Sequence, residues 1–254
     1  MLDKKRSQSR NHLNFFELVR GNIMHVLTSA LGPLQNAGGS TTDLVFNALY
    51  SAVISVQLPP GTKVSEAECA KQFDVSRQPV RDAFFRLSNL GFLSIRPQRP
   101  TLITQISLRA IHDAVFTRTA LEVECLRLAM SDNPAHLARD MQANVAAQEL
   151  ALKADSTTFH AIDEAFHELI CMASGHDHIW PLIREQKGHL DRLRFLSLSQ
   201  DRRQDVIEEH RKILMAVMNN ETAKAEKILR LHIAAIKDVL PAIIVRFPDY
   251  FEVV

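Results

Sequence analysis

Cysteine is scarce in this chain of 254 residues, and its three cysteines, Cys69, Cys125 and Cys171, are far apart with no C-x-x-C pair. That odd, scattered set excludes a disulfide framework and a zinc knuckle, and it fits a reducing cytoplasm. Long apolar runs are missing too: no segment reaches the ~18–20 uninterrupted apolar residues that a membrane helix needs. Internal repeats and low-complexity tracts are absent. Net charge is only +1. A hydrophobic content of 46% with 23% charged residues excludes a disordered chain, and the length allows two domains. The small net charge hides an uneven distribution. Residues 1–104 hold 12 Lys and Arg against 7 Asp and Glu, whereas residues 105–254 hold 18 against 22. Because affinity for phosphate follows local clustering of cations, the first part is the one suited to a nucleic acid.

Residues 64–95, VSEAECAKQFDVSRQPVRDAFFRLSNLGFLSI, read as the core of a winged helix-turn-helix. Ser65 followed by Glu68 forms a capping box, which opens a short helix at Ala67 with Cys69, Ala70 and Phe73 turned inward. Asp74-Val75 makes a tight turn. Ser76 can cap a second helix that tolerates Pro79 in its first turn and buries Val80, Phe84 and Leu87 at i, i+4 and i+7. Arg77 and Arg81 then share the outer face, where a guanidinium can grip guanine or hold phosphate in a major groove. Gly91 ends the helix. Phe92–Ile95 and Leu102-Ile103 predict a β-hairpin with a basic tip at residues 96–101. A solvated, arginine-bearing helical hairpin without function is the plain alternative.

The runs Pro60–Glu66 and Val75–Ala83, with Leu87 and Gly91, resemble the N-terminal signature of GntR-superfamily transcriptional regulators. The resemblance implies DNA contacts by Ser76, Arg77, Gln78 and Arg81. Two departures from the family pattern are Cys69 in place of leucine and Pro100 in place of a wing-tip glycine. The second shifts the wing contacts to Gln98 and Arg99.

The domain plan follows from composition and periodicity. Residues 1–41 form a poorly defined extension. Its outline of Lys4-Lys5-Arg6 before an apolar stretch is broken by Glu17 and Arg20, which argues against a signal peptide. Residues 42–104 form the DNA-binding domain, with Leu44, Ala48, Leu49 and Ala52 on a first supporting helix. Residues 105–247 show no strand-like alternation. Six helices are predicted, near 107–131, 134–153, 156–173, 177–198, 201–218 and 221–246, with Pro241 kinking or shortening the last. Residues 248–254 are a tail. The fold class is therefore mainly α: a winged helix-turn-helix domain followed by an all-helical antiparallel bundle.

Within the helical part, Asp163 and His167 lie at i, i+4 beside the arc of Ile162, Phe166, Leu169 and Ala173. His210 lies mid-arc among Ile207, Leu214 and Val217, and His232 among Ile228, Ala235 and Val239. Residue 221 is midway between the two histidines and follows the Asn219-Asn220 break, so an antiparallel hairpin brings both imidazoles to one level. Two buried imidazoles need a partner, because an unsatisfied buried polar group costs roughly 1–3 kcal/mol. A divalent metal suits them, and Asp163 with three histidines fits Zn, Ni or Mn without distinguishing among these ions. For any one histidine alone, a hydrogen-bonded core position is the simpler reading.

The segments Ala161–His167 and Glu209–Ala216, completed by His232, resemble the metal motifs of the FCD effector domain in the FadR-like branch of the same superfamily. The resemblance implies a homodimer on a palindromic double-stranded operator. It also implies a small carboxylate or sugar-acid effector beside the metal, and the reading that results is a ligand-responsive repressor. Phe116–Glu122 resembles the start of that domain, which makes Arg118 a candidate carboxylate clamp; a surface salt bridge with Glu122 is the alternative. A metal-dependent hydrolytic enzyme and a DNA-binding protein with a purely structural metal are the competing functions, but the first leaves the helix-turn-helix unexplained.

Overall fold

The computed structural model describes residues 39–253; the expected extension falls largely on residues 1–38, outside the described residues. The chain divides into two compact units between Gln105 and Ile106.

In the first unit, α1 (Thr41–Ile54) begins where the Ser40 hydroxyl accepts the Asp43 N–H at 3.1 Å. Its buried stripe includes Val45, Ala48, Leu49 and Ala52, and it packs on α3 (Arg77–Asn89), which buries Val80, Ala83, Phe84 and Leu87. α2 (Glu66–Gln72) precedes α3, and the turn between them places Asp74 at φ 50°. Ser65 Oγ accepts the Glu68 N–H at 3.5 Å, a long and therefore weak cap. Ser76 occupies the N-cap of α3 but makes no side-chain cap bond, so its hydroxyl does not perform the capping that its position predicts.

The wing is wider than the predicted hairpin. β1 (Lys63–Val64), β2 (Leu93–Ser94) and β3 (Thr101–Ile103) form an antiparallel sheet in the order β1-β3-β2, with Leu93 opposite Ile103 and Val64 opposite Thr101. Two-residue β1 was illegible in sequence because it is too short to show alternation. The left-handed residue at the wing tip is Gln98, at φ 58°, and not position 100, so proline is accommodated where the family pattern expects glycine.

The second unit is built on five long helices: α4 (Leu108–Asp132), α5 (Pro134–Leu150), α6 (Ser156–Ala173), α9 (Gln200–Met218) and α10 (Thr222–Ala234). α4 packs on α6, α6 on α5, α5 on α9, α9 on α10, and α10 back on α4. Each helix turns an apolar stripe to the shared core, which includes Ile111, Leu126, Met141, Phe159, Phe166, Ile213 and Leu229. Side-chain caps start several of them: Ser107 on α4, Asn133 on α5 and Asp155 on α6.

Two predicted helices are each divided. The fourth becomes α7 (Ile179–Gln186) and α8 (Gly188–Ser197) because Lys187, followed by the poor helix former Gly188, turns its ammonium inward to Glu164 and Asp191. The sixth breaks at Ala235, giving α10 and α11 (Ile236–Arg246). Pro241 lies inside α11, which runs on through it; the break occurs earlier, and the lost hydrogen bond to Lys237 falls in the first turns of the restarted helix. The predicted tail is also partly structured. Residues 248–250 form a 3₁₀ turn, Phe251 is buried, and Ile106 bridges to it in parallel, donating its N–H to the Tyr250 carbonyl at 2.7 Å.

His189 on α8 accepts the Ser107 N–H on Nδ1 at 3.1 Å, which requires a neutral imidazole. Burial, with Arg192 nearby, lowers its pKa from 6.5 to about 4. The stability it contributes is complete above pH 6.5 and is lost as pH falls toward 4, at up to about 1.4 kcal/mol per pH unit. Thermal denaturation of His189→Asn between pH 6.5 and 4 should show a shallower fall in Tm than the unsubstituted protein, and equal slopes would contradict this assignment.

Candidate functional site

The helical ring brings three imidazoles to one point. His232 Nε2 lies 3.2 Å from both His167 Nε2 and His210 Nε2, and all three residues are buried. α6 supplies Asp163 and His167 one turn apart, while the α9–α10 hairpin supplies His210 and His232 at the same height. Asn219 caps α9 and Asn220, at φ 57°, makes the tight return that sets this register.

Acceptors on the far side of each ring fix its orientation. His167 Nδ1–H donates to Glu122 Oε2 at 2.7 Å, and His232 Nδ1–H donates to Glu209 Oε2 at 2.6 Å. His210 Nδ1–H donates to Gln148 Oε1 at 2.9 Å. The Gln148 amide is oriented in turn, since its N–H donates to Asn144 Oδ1 at 2.7 Å and the Asn144 amide donates to the Ile162 carbonyl at 3.0 Å. With every Nδ1 carrying a proton toward an outer acceptor, the three Nε2 lone pairs face one another.

Electrostatics keep the site in this form. Burial first, despite Glu122 beside it, lowers the His167 pKa to about 4, and burial next to His232 holds His210 well below its ordinary value. Burial opposes ionisation of Glu122, but Arg118 and His167 outweigh it and keep the carboxyl well below the usual range. Asp163 is likewise buried, and Arg194 together with the imidazoles holds it ionised.

The residues fit a metal ion by their own geometry. Two donors 3.2 Å apart and each ~2.1 Å from a common centre subtend roughly 100°, between octahedral and tetrahedral angles. Asp163 Oδ1 is buried without a hydrogen-bond partner, 3.8 Å from His210 Nε2, beside the group that the three histidines form. A second grouping, His160, Asp163 and Glu164, lacks this character. Arg194 bonds Asp163 and Glu164, and Lys187 bonds Glu164, so cations of the protein already neutralise it.

Arg118 is buried, with Nε 2.6 Å from Glu122 Oε1. The pairing with Glu122, the alternative to a carboxylate clamp, is thus present, but in the interior and not at the surface. Arg118 also lines a cavity of about 30 Å³ shared with Arg194, Arg202, Ser197, His232 and Ile236. In the sequence Arg194 can face either pocket or solvent, and Arg202 carries no signal of a site residue. On a helix an arginine usually faces solvent, and their inward turn depends on the break at Lys187 and on Glu209.

At the other end of the chain, Ser76, Arg77, Gln78 and Arg81 stand exposed along the start of α3, and Gln98 and Arg99 are exposed on the wing. Gln78 donates to Asp82 at 2.9 Å and Arg81 Nε lies 3.4 Å from Glu66. Surface pairs of this kind are worth about 0–1 kcal/mol, so both side chains can exchange them for bases or phosphates. Arg86, by contrast, is committed to Asp43 at 2.7 Å and to the face of Phe46.

A winged helix-turn-helix with a basic reading face, on a chain whose remainder is a helical bundle around buried donors, defines a DNA-binding regulator. Residues 41–103 match the model of bacterial regulatory proteins of the gntR family, and residues 113–235 match the FCD domain. A "Probable D-xylose utilization operon transcriptional repressor" of Paenarthrobacter nicotinovorans is 30% identical over 70% of this chain and 79% of its own. The HTH-type transcriptional repressor RspR of Escherichia coli K12 is 27% identical over 82% of this chain and 92% of its own. The solved structure of E. coli McbR/YncC shares the fold at a TM-score of 0.66 and 18% identity, covering 83% of this chain and all (100%) of that one. The chain belongs to the GntR family of transcriptional regulators and carries an FCD domain. It is a regulator and not an enzyme, which removes the hydrolytic reading.

If Arg77 and Arg81 read the groove, Arg81→Ala should cost about 1–3 kcal/mol of operator affinity for a base contact, or flatten the salt dependence for a phosphate contact. Fluorescence anisotropy of the Arg77→Ala/Arg81→Ala double variant across salt concentrations checks this. Unchanged affinity and slope would contradict the placement of α3 in the groove.

Proposed function

We propose that this protein is a repressor whose operator affinity is set by a small carboxylate or sugar acid bound beside a divalent metal. Asp163, His167, His210 and His232 hold the metal, and the ion is Zn, Ni or Mn. The observation that carries this reading is the convergence of three buried Nε2 lone pairs, with a buried carboxylate oxygen beside them that has no hydrogen-bond partner. Lone pairs 3.2 Å apart repel one another, and a cation converts that repulsion into attraction. When bound, such an ion supplies Lewis acidity toward an anionic ligand.

The chain's own residues do the rest. Glu122, Gln148 and Glu209 orient the imidazoles, and Arg118, Arg194 and Arg202 offer guanidinium groups to a carboxylate in the adjoining cavity. Two copies on a palindromic operator place one α3 in each of two successive major-groove segments. The protein works in the cytoplasm as that homodimer. An effector changes DNA affinity only through its preference for one dimer arrangement, and a coupling of 1–3 kcal/mol corresponds to about a 5–150-fold change.

His210→Ala and His232→Ala should each lower metal occupancy after purification and reduce the Tm gain on adding metal, because an ion that binds only the folded state stabilises it by RT ln(1 + [L]/Kd). Mass spectrometry under native conditions reads occupancy directly. Full stoichiometric metal in a protein lacking both histidines would refute the site.

A further inference from the structure

The cavity beside the histidines has an unusual wiring. Arg118 holds Glu122 at 2.6 Å, and Glu122 holds His167 at 2.7 Å. Arg202 holds Glu209 at 2.8 Å, and Glu209 holds His232 at 2.6 Å. Arg194 is bonded to Asp163 itself. All three arginines line the cavity. Three of the four metal donors are thus reached from the cavity through one arginine each. The fourth, His210, is held by the uncharged amide of Gln148, which leads back to the Ile162 carbonyl.

Formal charge sharpens this. Among the described residues, the ion pairs that lead to the donors join four cations, Arg118, Arg194, Arg202 and Lys187, to five anions, Asp163, Glu122, Glu164, Asp191 and Glu209. Asp205, at 3.9 Å from Arg202, is 68% solvent-exposed and therefore screened. The set carries one net negative charge without a metal and one net positive charge with a divalent ion. A cavity of about 30 Å³ has room for roughly two waters, or the two oxygens of one carboxylate.

We infer that Arg118, Arg194 and Arg202 are positioning residues that couple a single carboxylate in the cavity to the metal, so that monoanion and metal each tighten the binding of the other. The inference rests on the metal reading above. An anion that draws an arginine toward itself weakens that arginine's hold on Glu122, Glu209 or Asp163. The carboxylate then turns more of its negative charge to the imidazole or to the ion, which favours a cation at the centre. Reciprocity requires the metal to favour the anion by the same factor. The His210–Gln148 arm carries no charge and contributes affinity without coupling. A dianion overshoots the single positive charge.

Cobalt(II) titration of the metal-free full-length protein, followed by visible absorption at constant ionic strength set with chloride, tests this with acetate as the monoanion and malonate as the dianion. Saturating acetate should tighten cobalt binding at least about fivefold, and malonate less. Arg202→Gln should bind cobalt without acetate at least as tightly as the unsubstituted protein, while its acetate effect falls below about twofold; a merely structural arginine would lower affinity and leave the ratio intact. Gln148→Leu should weaken cobalt binding about 10–100-fold yet keep the acetate effect. Cobalt binding that acetate does not alter, a full acetate effect in Arg202→Gln, or a malonate effect equal to that of acetate would overturn the coupling and leave the metal site standing. Absence of cobalt binding altogether would overturn the metal reading itself.

Discussion

Three imidazole lone pairs aimed at one point in a buried core are the constraint on which the effector unit depends. Left to themselves they repel, and the rings would turn aside. Glu122, Gln148 and Glu209 prevent this by taking the Nδ1 protons, and each comes from a different helix of the ring. The hydrogen bonds therefore tie α4, α5, α6, α9 and α10 to a common centre as well as holding donors. Phe166 adds a wall, with its ring stacked 3.8 Å from that of His210. An ion held at this centre would touch side chains from three helices and, through one further bond, all five.

The two units solve opposite problems with the same residue type. On α3 and the wing, arginines remain exposed and weakly paired, so that DNA phosphates and base edges can displace their partners. In the bundle, arginines are buried against carboxylates, and each such pair is costly to break because removing one partner strands a charge in the core. Exposure favours exchange with a polyanion, while burial favours two discrete arrangements. The second is the property a switch requires.

Much of this was legible in the sequence, and the limits have physical causes. The helix-turn-helix follows from Phe73, Val80, Phe84 and Leu87 at helical spacing around a turn. The convergence of His167, His210 and His232, with Asp163 one turn away, follows from i, i+4 geometry and from hairpin arithmetic about Asn219-Asn220. Strand β1 escaped notice because two residues carry no period. The break at Lys187 was hidden because it depends on the tertiary contacts of its ammonium, and the expected kink at Pro241 was absorbed by an earlier restart at Ala235. Gln148 lies in no motif, and Glu122 and Glu209 stand at the ends of matched runs without any local sign that they face an imidazole. They become site residues only when another helix presents an Nδ1–H to them, which no local pattern encodes.

The central claim, that His167, His210 and His232 offer Nε2 to one metal while keeping Nδ1–H on outer acceptors, can be read from the imidazole nitrogens themselves. Long-range ¹H–¹⁵N correlation spectra of the histidine-labelled protein, recorded without metal and with one equivalent of zinc, report protonation at each ring nitrogen. Three rings should keep a protonated Nδ1 throughout, with only their Nε2 resonances moving when zinc is added. Nδ1 shifts at these residues, or zinc-independent spectra for all three, would contradict the account.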